Sequence, residues 1–341
     1  MRFPRKGERT LVVAEIGVNH DGSEVRAIEL VGAAKAAGAD AVKLQLFKAQ
    51  RLMHRSIAFA RYQAERVTDH SPIEMLRRYE LSDAAAHRVV AAIRRAKLLP
   101  VVTPFSPGDL DLVRQLKPAF IKIASPDLVN PVLLGAAAKL GRPMMVSTGA
   151  ATMAEISQTV AWLRKWKASF ALLHCISSYP VPSDQAHLAW INEFARRWDV
   201  CVGYSDHTTE PLAGALAVAA GAMIVEKHLT YNRSAVGPDH YASFDPAEFA
   251  AYVRAIRDAE KMLGRGDRLV LPIERDVRRV SRQSLVLAQS VKSGHRLKKN
   301  DFTVQRPGIG IPAARMGELI GRRIRKDADA GTMLRWSDVS Q

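Results

Sequence analysis

Two lysines, Lys43 and Lys122, and two histidines, His207 and His228, stand at the ends of short apolar runs, and their types define the chemistry open to this chain. Two lysines among Ser and Thr hydroxyls suit a small, doubly charged anion, such as a phosphate ester that also carries a carboxylate. Two imidazoles on neighbouring strand ends can share one divalent metal and leave positions open for substrate. On their own they fit hydrogen-bonded histidines of fixed tautomer as well. Glu15, in the stretch Ala14-Glu15-Ile16-Gly17-Val18-Asn19-His20, is a candidate to orient a water. Similar polar groups close the other apolar runs. Gln45 lies two residues from Lys43, hence on the same strand face. Thr103 and Ser106 end a third run, and Ser125 and Asp127 follow Lys122. Ser147, then Ser177 and Tyr179, then Ser205 end three more, and Asp239 follows His228. His20, His174 and His240 are further ligand candidates that the sequence does not rank. Any one such residue is commonly a satisfied polar group; eight runs that each bring one to a common rim are a site.

The elements that must carry these residues alternate. Candidate strands are Leu11–Ala14, Ala41–Leu46, Val101–Thr103, Phe120–Ile123, Met144–Ser147, Phe170–His174, Cys201–Tyr204 and Met223–Glu226. Each is followed by a helix-length amphipathic stretch, from Glu24–Ala37 to Pro246–Leu263. Near-continuous apolar strands of this kind belong to a parallel sheet covered on both faces. The fold class is therefore α/β, and a closed (β/α)₈ barrel is the economical solution, with its active site at the C-terminal ends of the strands. A doubly wound open sheet is the alternative, but no G-x-G-x-x-G follows the first strand. The connection from Phe47 to Ser82, rich in Arg and His, reads as a loop over the barrel mouth.

The alternation stops after Leu263. The expected division is a catalytic barrel over 1–265, a linker over 266–283 and a small domain over 284–341. That domain contains an imperfect repeat offset by 37 residues: Val291, Gly294, Leu297, Asp301 and Phe302 correspond to Ala328, Gly331, Leu334, Asp338 and Val339. Each copy reads as a turn glycine, a buried leucine and an Asp capping a short turn. A core this small is marginal alone, so the domain is expected to pack on the barrel or on a second subunit.

Composition narrows the class. The chain has 341 residues, ordinary globular usage and two cysteines, Cys175 and Cys201. That excludes a disulfide scaffold and a Cys-rich zinc module, and fits a reducing cytoplasm. No run is long and apolar enough to span a membrane, and the N-terminus has no signal-peptide core. The net charge is +16, with 17 Lys+Arg against 8 Asp+Glu from Gly264 onward. Such a basic tail fits nucleic acid or a surface that draws in anionic metabolites, but no interleaved aromatics are available to stack bases, and a solvated basic face fits as well.

The sequence resembles the N-acetylneuraminate (sialic acid) synthase family, which condenses phosphoenolpyruvate with an acylamino sugar. The resemblance rests on AEIGVNHDG (14–22), AAKAAGADAVKLQLFK (33–48), TPFS (103–106), IKIASPDL (121–128), STGAAT (147–152), LLHCISSYP (172–180), GYSDHT (203–208), VEKHLT (225–230) and GPDHYASF (237–244), with RPGIGI (306–311) in the small domain. It spans nearly the whole chain in the family's order, and the terminal domain resembles an antifreeze-like (SAF) domain. It implies that His207 and His228 bind a divalent metal, typically manganese. It implies that Lys43, Lys122, Thr103, Ser125, Ser147 and Ser205 hold phosphoenolpyruvate, that Gln45, Tyr179 and Asp239 contact the sugar, and that Glu15 orients or deprotonates the water. It further implies a homodimer with swapped C-terminal domains, in which Arg306 reaches the partner's sugar. Asp127 and Ser177 join the substrate-binding set, although the family often has Glu and Asn there, and Leu46 replaces a small polar residue. These departures leave the identity of the sugar open. Two other readings compete: a Schiff-base aldolase using Lys43, Lys122 or Lys227, and a nucleic-acid or polysaccharide binder using the basic tail. Neither has a use for both the histidine pair and the polar rim. Ice binding wants a flat, regular face, which a densely charged domain lacks.

Overall fold

The computed structural model describes residues 1–54, 71–264, 266 and 268–340. The chain divides into two units, Met1–Arg265 and Gly266–Gln341. In the first, eight parallel strands close into a barrel: β1 (Leu11–Glu15), β2 (Ala41–Leu46), β3 (Leu99–Pro104), β4 (Phe120–Ile123), β5 (Met144–Ser147), β6 (Phe170–Cys175), β7 (Cys201–Asp206) and β8 (Ile224–His228). Closure is made by β1 on β8, in a register that sets Val13 beside Glu226 and Glu15 beside His228.

Strand periodicity explains the site. Side chains alternate between the helix layer and the barrel interior. Val12, Ala14, Val42 and Leu44 point outward into the large core beneath the helices. Val13, Ala41, Val101, Phe120, Met145, Leu173 and Ile224 pack together inside the barrel. Two residues further along these strands stand Glu15, Lys43, Thr103, Lys122, Ser147, Cys175 and Glu226. An apolar floor thus carries a polar layer toward the C-terminal mouth. Gly203 takes the equivalent place on β7, where a Cβ would lie 2.6 Å from the Ile224 carbonyl oxygen. Ser205 follows it in the polar layer.

Several elements run differently from the pattern expected. β8 extends through His228 rather than ending at Glu226, so His228 is a strand residue. The excursion from Phe47 to Ser82 is not simply a loop. It contains the helices Ala49–Leu52 and Pro72–Tyr79, the latter started by Pro72 and by the Ser71 hydroxyl, which accepts the Glu74 N–H. Residues 55–70 of that excursion lie outside the described residues. Among the described residues, no helix is long and apolar enough to cross a membrane.

In the second unit, the stretch 266–283 carries the short helix Arg275–Ser281. β9 (Ser284–Leu287) then pairs antiparallel with β10 (Phe302–Gln305). The internal repeat is structural. Val291 bridges Ala328, its counterpart in the other copy. Gly294 and Gly331 take φ of 81° and 85°, which glycine adopts without strain. Leu297 and Leu334 are buried in one core. Asp301 and Asp338 each accept the backbone N–H three residues back, from Lys298 and Arg335, at 2.7 and 2.8 Å.

Candidate active site

The polar layer opens into a cavity of about 480 Å³ at the C-terminal end of the barrel. Its floor is an ionic cluster. Lys43 Nζ lies 2.5 Å from Glu15 Oε2 and 2.7 Å from Glu226 Oε1. Lys122 Nζ approaches the same Glu226 oxygen at 3.4 Å, and the Ser205 hydroxyl donates to it at 3.2 Å. Burial disfavours the charged form of Lys43, and Lys122 acts in the same direction. Glu226 opposes them, and the ammonium is left at about 8. Burial would raise Glu226, but Lys122 and Lys43 outweigh it and hold the carboxyl well below the usual range.

Several buried polar atoms around this cluster have no hydrogen-bond partner among the described residues: Thr103 Oγ1, Ser147 Oγ, Glu226 Oε2 and His228 Nδ1. Buried polar groups are nearly always paired, and an unmet one costs about 1–3 kcal/mol. Their convergence on one cavity identifies a ligand site. Ser125 accepts the Gly149 N–H at 3.0 Å. A Cβ on Gly149 would fall 2.2 Å from Ser177 Oγ and 2.8 Å from Ser125 Oγ, so the close approach of three strand ends requires glycine.

The imidazoles stand on one wall, with ring centroids 5.6 Å apart. His207 Nδ1 meets the Ile176 carbonyl oxygen at 2.9 Å, which assigns the proton to Nδ1 and leaves Nε2 as the atom available to a ligand. Tyr179 stacks on His207 at 4.1 Å. Burial lowers the His207 proton affinity, but Cys175 and the Ile176 carbonyl raise it on balance. His228 is held well below the ordinary imidazole range by burial, then by His207 and Lys43, and is neutral. Asp239 Oδ2 lies 3.7 Å from its Nδ1. Burial raises the carboxyls of Asp239 and Asp127. Among the described residues no group of three or more His, Cys, Asp and Glu is set to hold a metal ion. The donor set on this wall is the two imidazoles, one with an unpartnered nitrogen. That suits an ion bound with several positions open to substrate and water.

The remaining wall is apolar: Phe47, Leu52, Met53, Met75, Leu76 and Phe105. Phe47 and Phe105 meet edge to face at 5.9 Å.

Lys43, Gln45, Thr103, Lys122, Ser125, Asp127, Ser147, Ser177, Tyr179, Ser205, His207, His228 and Asp239 all line this cavity. Glu15 and Arg306 do not. Glu15, expected to hold a water, is fully buried with its carboxylate against Lys43 and Gln45. A Cβ on Gly17 would fall 2.1 Å from Glu15 Oε1. The glutamate among the described residues of the cavity lining is Glu226, beside the aspartates Asp127 and Asp239. Arg306 belongs to the second unit, where it is exposed. Leu46 points into the helix-layer core, so its departure from the family pattern leaves the cavity untouched. His20, His174 and His240 lie outside the cavity lining. Sequence reasoning missed Glu226 and Cys175. Both stand two residues beyond an inward apolar residue, and Glu226 also stands two before His228, a period that would have identified it.

The family model described as the NeuB family matches residues 30–268, and a SAF domain model matches residues 282–340. The chain is 34% identical to the N,N'-diacetyllegionaminic acid synthase of Legionella pneumophila over 343 residues, covering 98% of this chain and 96% of that one. It is 30% identical to a pseudaminic acid synthase of Campylobacter jejuni, covering 97% of each. The solved N-acetylneuraminic acid (sialic acid) synthetase of Leptospira borgpetersenii, in complex with citrate, superposes with a TM-score of 0.73 at 30% identity. That match covers 80% of this chain and 90% of that one.

Proposed function

Because the chain belongs to the NeuB family, we propose that it condenses phosphoenolpyruvate with an N-acylamino hexose, giving a nonulosonic acid and phosphate. The observation that carries this reading is the cavity floor. Two ammonium groups from β2 and β4 share one carboxylate, beside the unpaired hydroxyls of Thr103 and Ser147. A ligand bearing both phosphate and carboxylate supplies the missing negative charge and acceptors. His207 and His228 would hold a divalent ion, Mn²⁺ in this reading, which supplies Lewis acidity toward a sugar carbonyl. Lys43 and Lys122 hold phosphoenolpyruvate with C3 toward the sugar aldehyde. C3 attacks the aldehyde carbon, positive charge develops at C2, and water adds there. The resulting hemiketal phosphate collapses by C–O cleavage. Glu226 is the carboxylate beside that water, and Glu15 buttresses Lys43 from behind.

The apolar wall favours a particular sugar. A 6-hydroxyl set against Phe47, Met53 and Met75 would lose water without gaining a partner, at about 1–3 kcal/mol. A 6-phosphate would need a further cation, and the described lining holds no Lys or Arg beyond Lys43 and Lys122. A 2,4-diacetamido-2,4,6-trideoxy hexose presents methyl groups instead. Phosphate release measured across a panel of acylamino hexoses is expected to give this class a kcat/KM roughly 5–150 times that of N-acetylmannosamine. ¹⁸O in the bridging oxygen of phosphoenolpyruvate is expected in the released phosphate. Preference for N-acetylmannosamine would refute the choice of sugar; no phosphate release with any of them would refute the synthase.

One observation favours a Schiff-base lysine, the ammonium of Lys43 at about 8. It is outweighed by the two carboxylates that flank that nitrogen and hold it as a charged donor.

The reading extends to a cytoplasmic homodimer in which Arg306 of one chain completes the partner's sugar site. Its support is apolar surface on the segment leading into the SAF domain, where Ile273, Val277 and Val280 are 84%, 60% and 44% exposed. Sedimentation is expected to find a dimer, and a fully active monomer would overturn this part.

A further inference from the structure

Two charges are buried on the outer face of the barrel, next to the helix Pro246–Leu263. Asp206 and Lys227 are each 0% exposed. They face each other in the β7–β8 register, with Nζ 3.3 Å from Oδ2. Tyr252 donates its hydroxyl to the same Asp206 oxygen at 2.6 Å, and the Lys227 ammonium lies 4.2 Å over the Phe244 ring. A buried ion pair is weak evidence for stability, because apolar residues of similar volume commonly serve as well. The backbone around it shows what this one holds.

Asp206 Oδ1 accepts the N–H of Thr208 at 2.8 Å, and Lys227 Nζ donates to the carbonyl of the same residue. Both polar backbone groups of the residue after His207 are therefore tied to the pair. The His207 carbonyl accepts the Val181 N–H at 2.9 Å, and its ring is tied to Ile176. On the β8 side, Phe244, whose ring covers Lys227, donates its N–H to the His228 carbonyl at 3.0 Å. The sequence pattern repeats this arrangement. Asp206 immediately precedes His207, and Lys227 immediately precedes His228, so each outward charge alternates with an inward imidazole.

We propose that the buried Asp206–Lys227 pair, with Tyr252 and Phe244, is a positioning device that aims His207 and His228 at a single metal ion. The proposal rests on the reading of the two histidines as metal ligands. Partners behind metal-binding histidines set ring orientation, and their loss commonly costs about 10–100-fold in metal affinity.

The test separates positioning from packing. The triple variant Asp206→Leu, Lys227→Met, Tyr252→Phe removes the buried polar side chains together and leaves none of the three uncompensated. Mn²⁺ binding is read by electron paramagnetic resonance titration of the full-length protein, with thermal unfolding alongside. The expected result is a folded variant whose Mn²⁺ dissociation constant rises about 10–100-fold. Unchanged Mn²⁺ affinity in a folded triple variant would overturn the proposal and leave the pair a packing element. If the triple variant does not fold, Lys227→Met takes its place, since it keeps the packed volume and removes the donor to the Thr208 carbonyl, while Tyr252 and Thr208 still donate to Asp206. Weakened Mn²⁺ binding by that variant supports positioning, and unchanged binding overturns it. A parent protein that binds no Mn²⁺ would remove the metal reading and this proposal with it, whereas a parent that binds Mn²⁺ alongside an indifferent variant removes this proposal alone.

Discussion

Chelation with EDTA should remove nearly all turnover, Mn²⁺ should restore it, and neither His207→Ala nor His228→Ala should recover at any Mn²⁺ concentration. This is the expected result if the two imidazoles are the ion's protein ligands. The rings share one wall, with centroids 5.6 Å apart. His207 has one nitrogen committed to Ile176, and His228 presents an unpartnered Nδ1. With two protein ligands, loss of either leaves one, too few to hold a divalent ion against water. The remaining catalysis would come from the lysine floor alone. The loss in kcat should be roughly 10²–10³-fold or more, the scale seen when an electrostatic stabiliser of developing charge is removed. Thermal unfolding checks that each variant is folded, and phosphoenolpyruvate binding should persist, because Lys43 and Lys122 are untouched. Full activity in a metal-stripped preparation would overturn the assignment.

Glu226→Gln is expected to destabilise the barrel by about 3–5 kcal/mol, the scale for removing one partner of a buried ion pair. Glu226 Oε1 is shared by Lys43, Lys122 and Ser205, so its loss leaves two buried ammonium groups near each other, with Glu15 still paired to Lys43. An anion that binds the native cavity returns the lost charge, so phosphoenolpyruvate should raise the Tm of the variant more than that of the parent. A pH measurement follows from the same cluster. In the proposed reading the ammonium of Lys43 binds the anion, and it loses its proton at about 8. In the parent, kcat/KM for phosphoenolpyruvate should therefore fall as pH rises through about 8, since this ratio reports the free enzyme. Glu226 is the largest influence holding that proton in place, so in the variant the falling limb should begin at lower pH. An unchanged Tm together with an unmoved limb would refute this account of the floor.

The barrel was legible because each strand is a short apolar run closed by a polar residue, and polar residues at strand ends have few structural reasons to recur eight times. The small domain was legible from its repeat, which the structure turns into facing pairs such as Val291 and Ala328. The apolar wall was not, because Met53 and Met75 sit in a stretch whose Arg and His content reads as solvated loop, and hydropathy does not reveal which face of a short helix meets a cavity. Glu15 differs from the other strand-end residues for a geometric reason. Its strand end looks like the others, but Lys43 lies between it and Glu226, and the Gly17 turn brings backbone against its carboxylate. Asp206 and Lys227 look like rim residues in the sequence, and alternation sends them to the opposite face from their histidine neighbours.

The two halves of the cavity descend from different parts of the chain. Its ionic floor is distributed over the barrel strands, so a drift in any one of them disturbs residues that several others hold in place. Its apolar wall comes mostly from the excursion between β2 and β3, with Phe105 added from the end of β3. In the proposed reading, selection for a new sugar can therefore work on that excursion while the ionic floor is inherited intact. A combinatorial library confined to Leu52, Met53, Met75 and Leu76 would sample this freedom, and lineages that diverged in the sugar they accept should have accumulated their differences there.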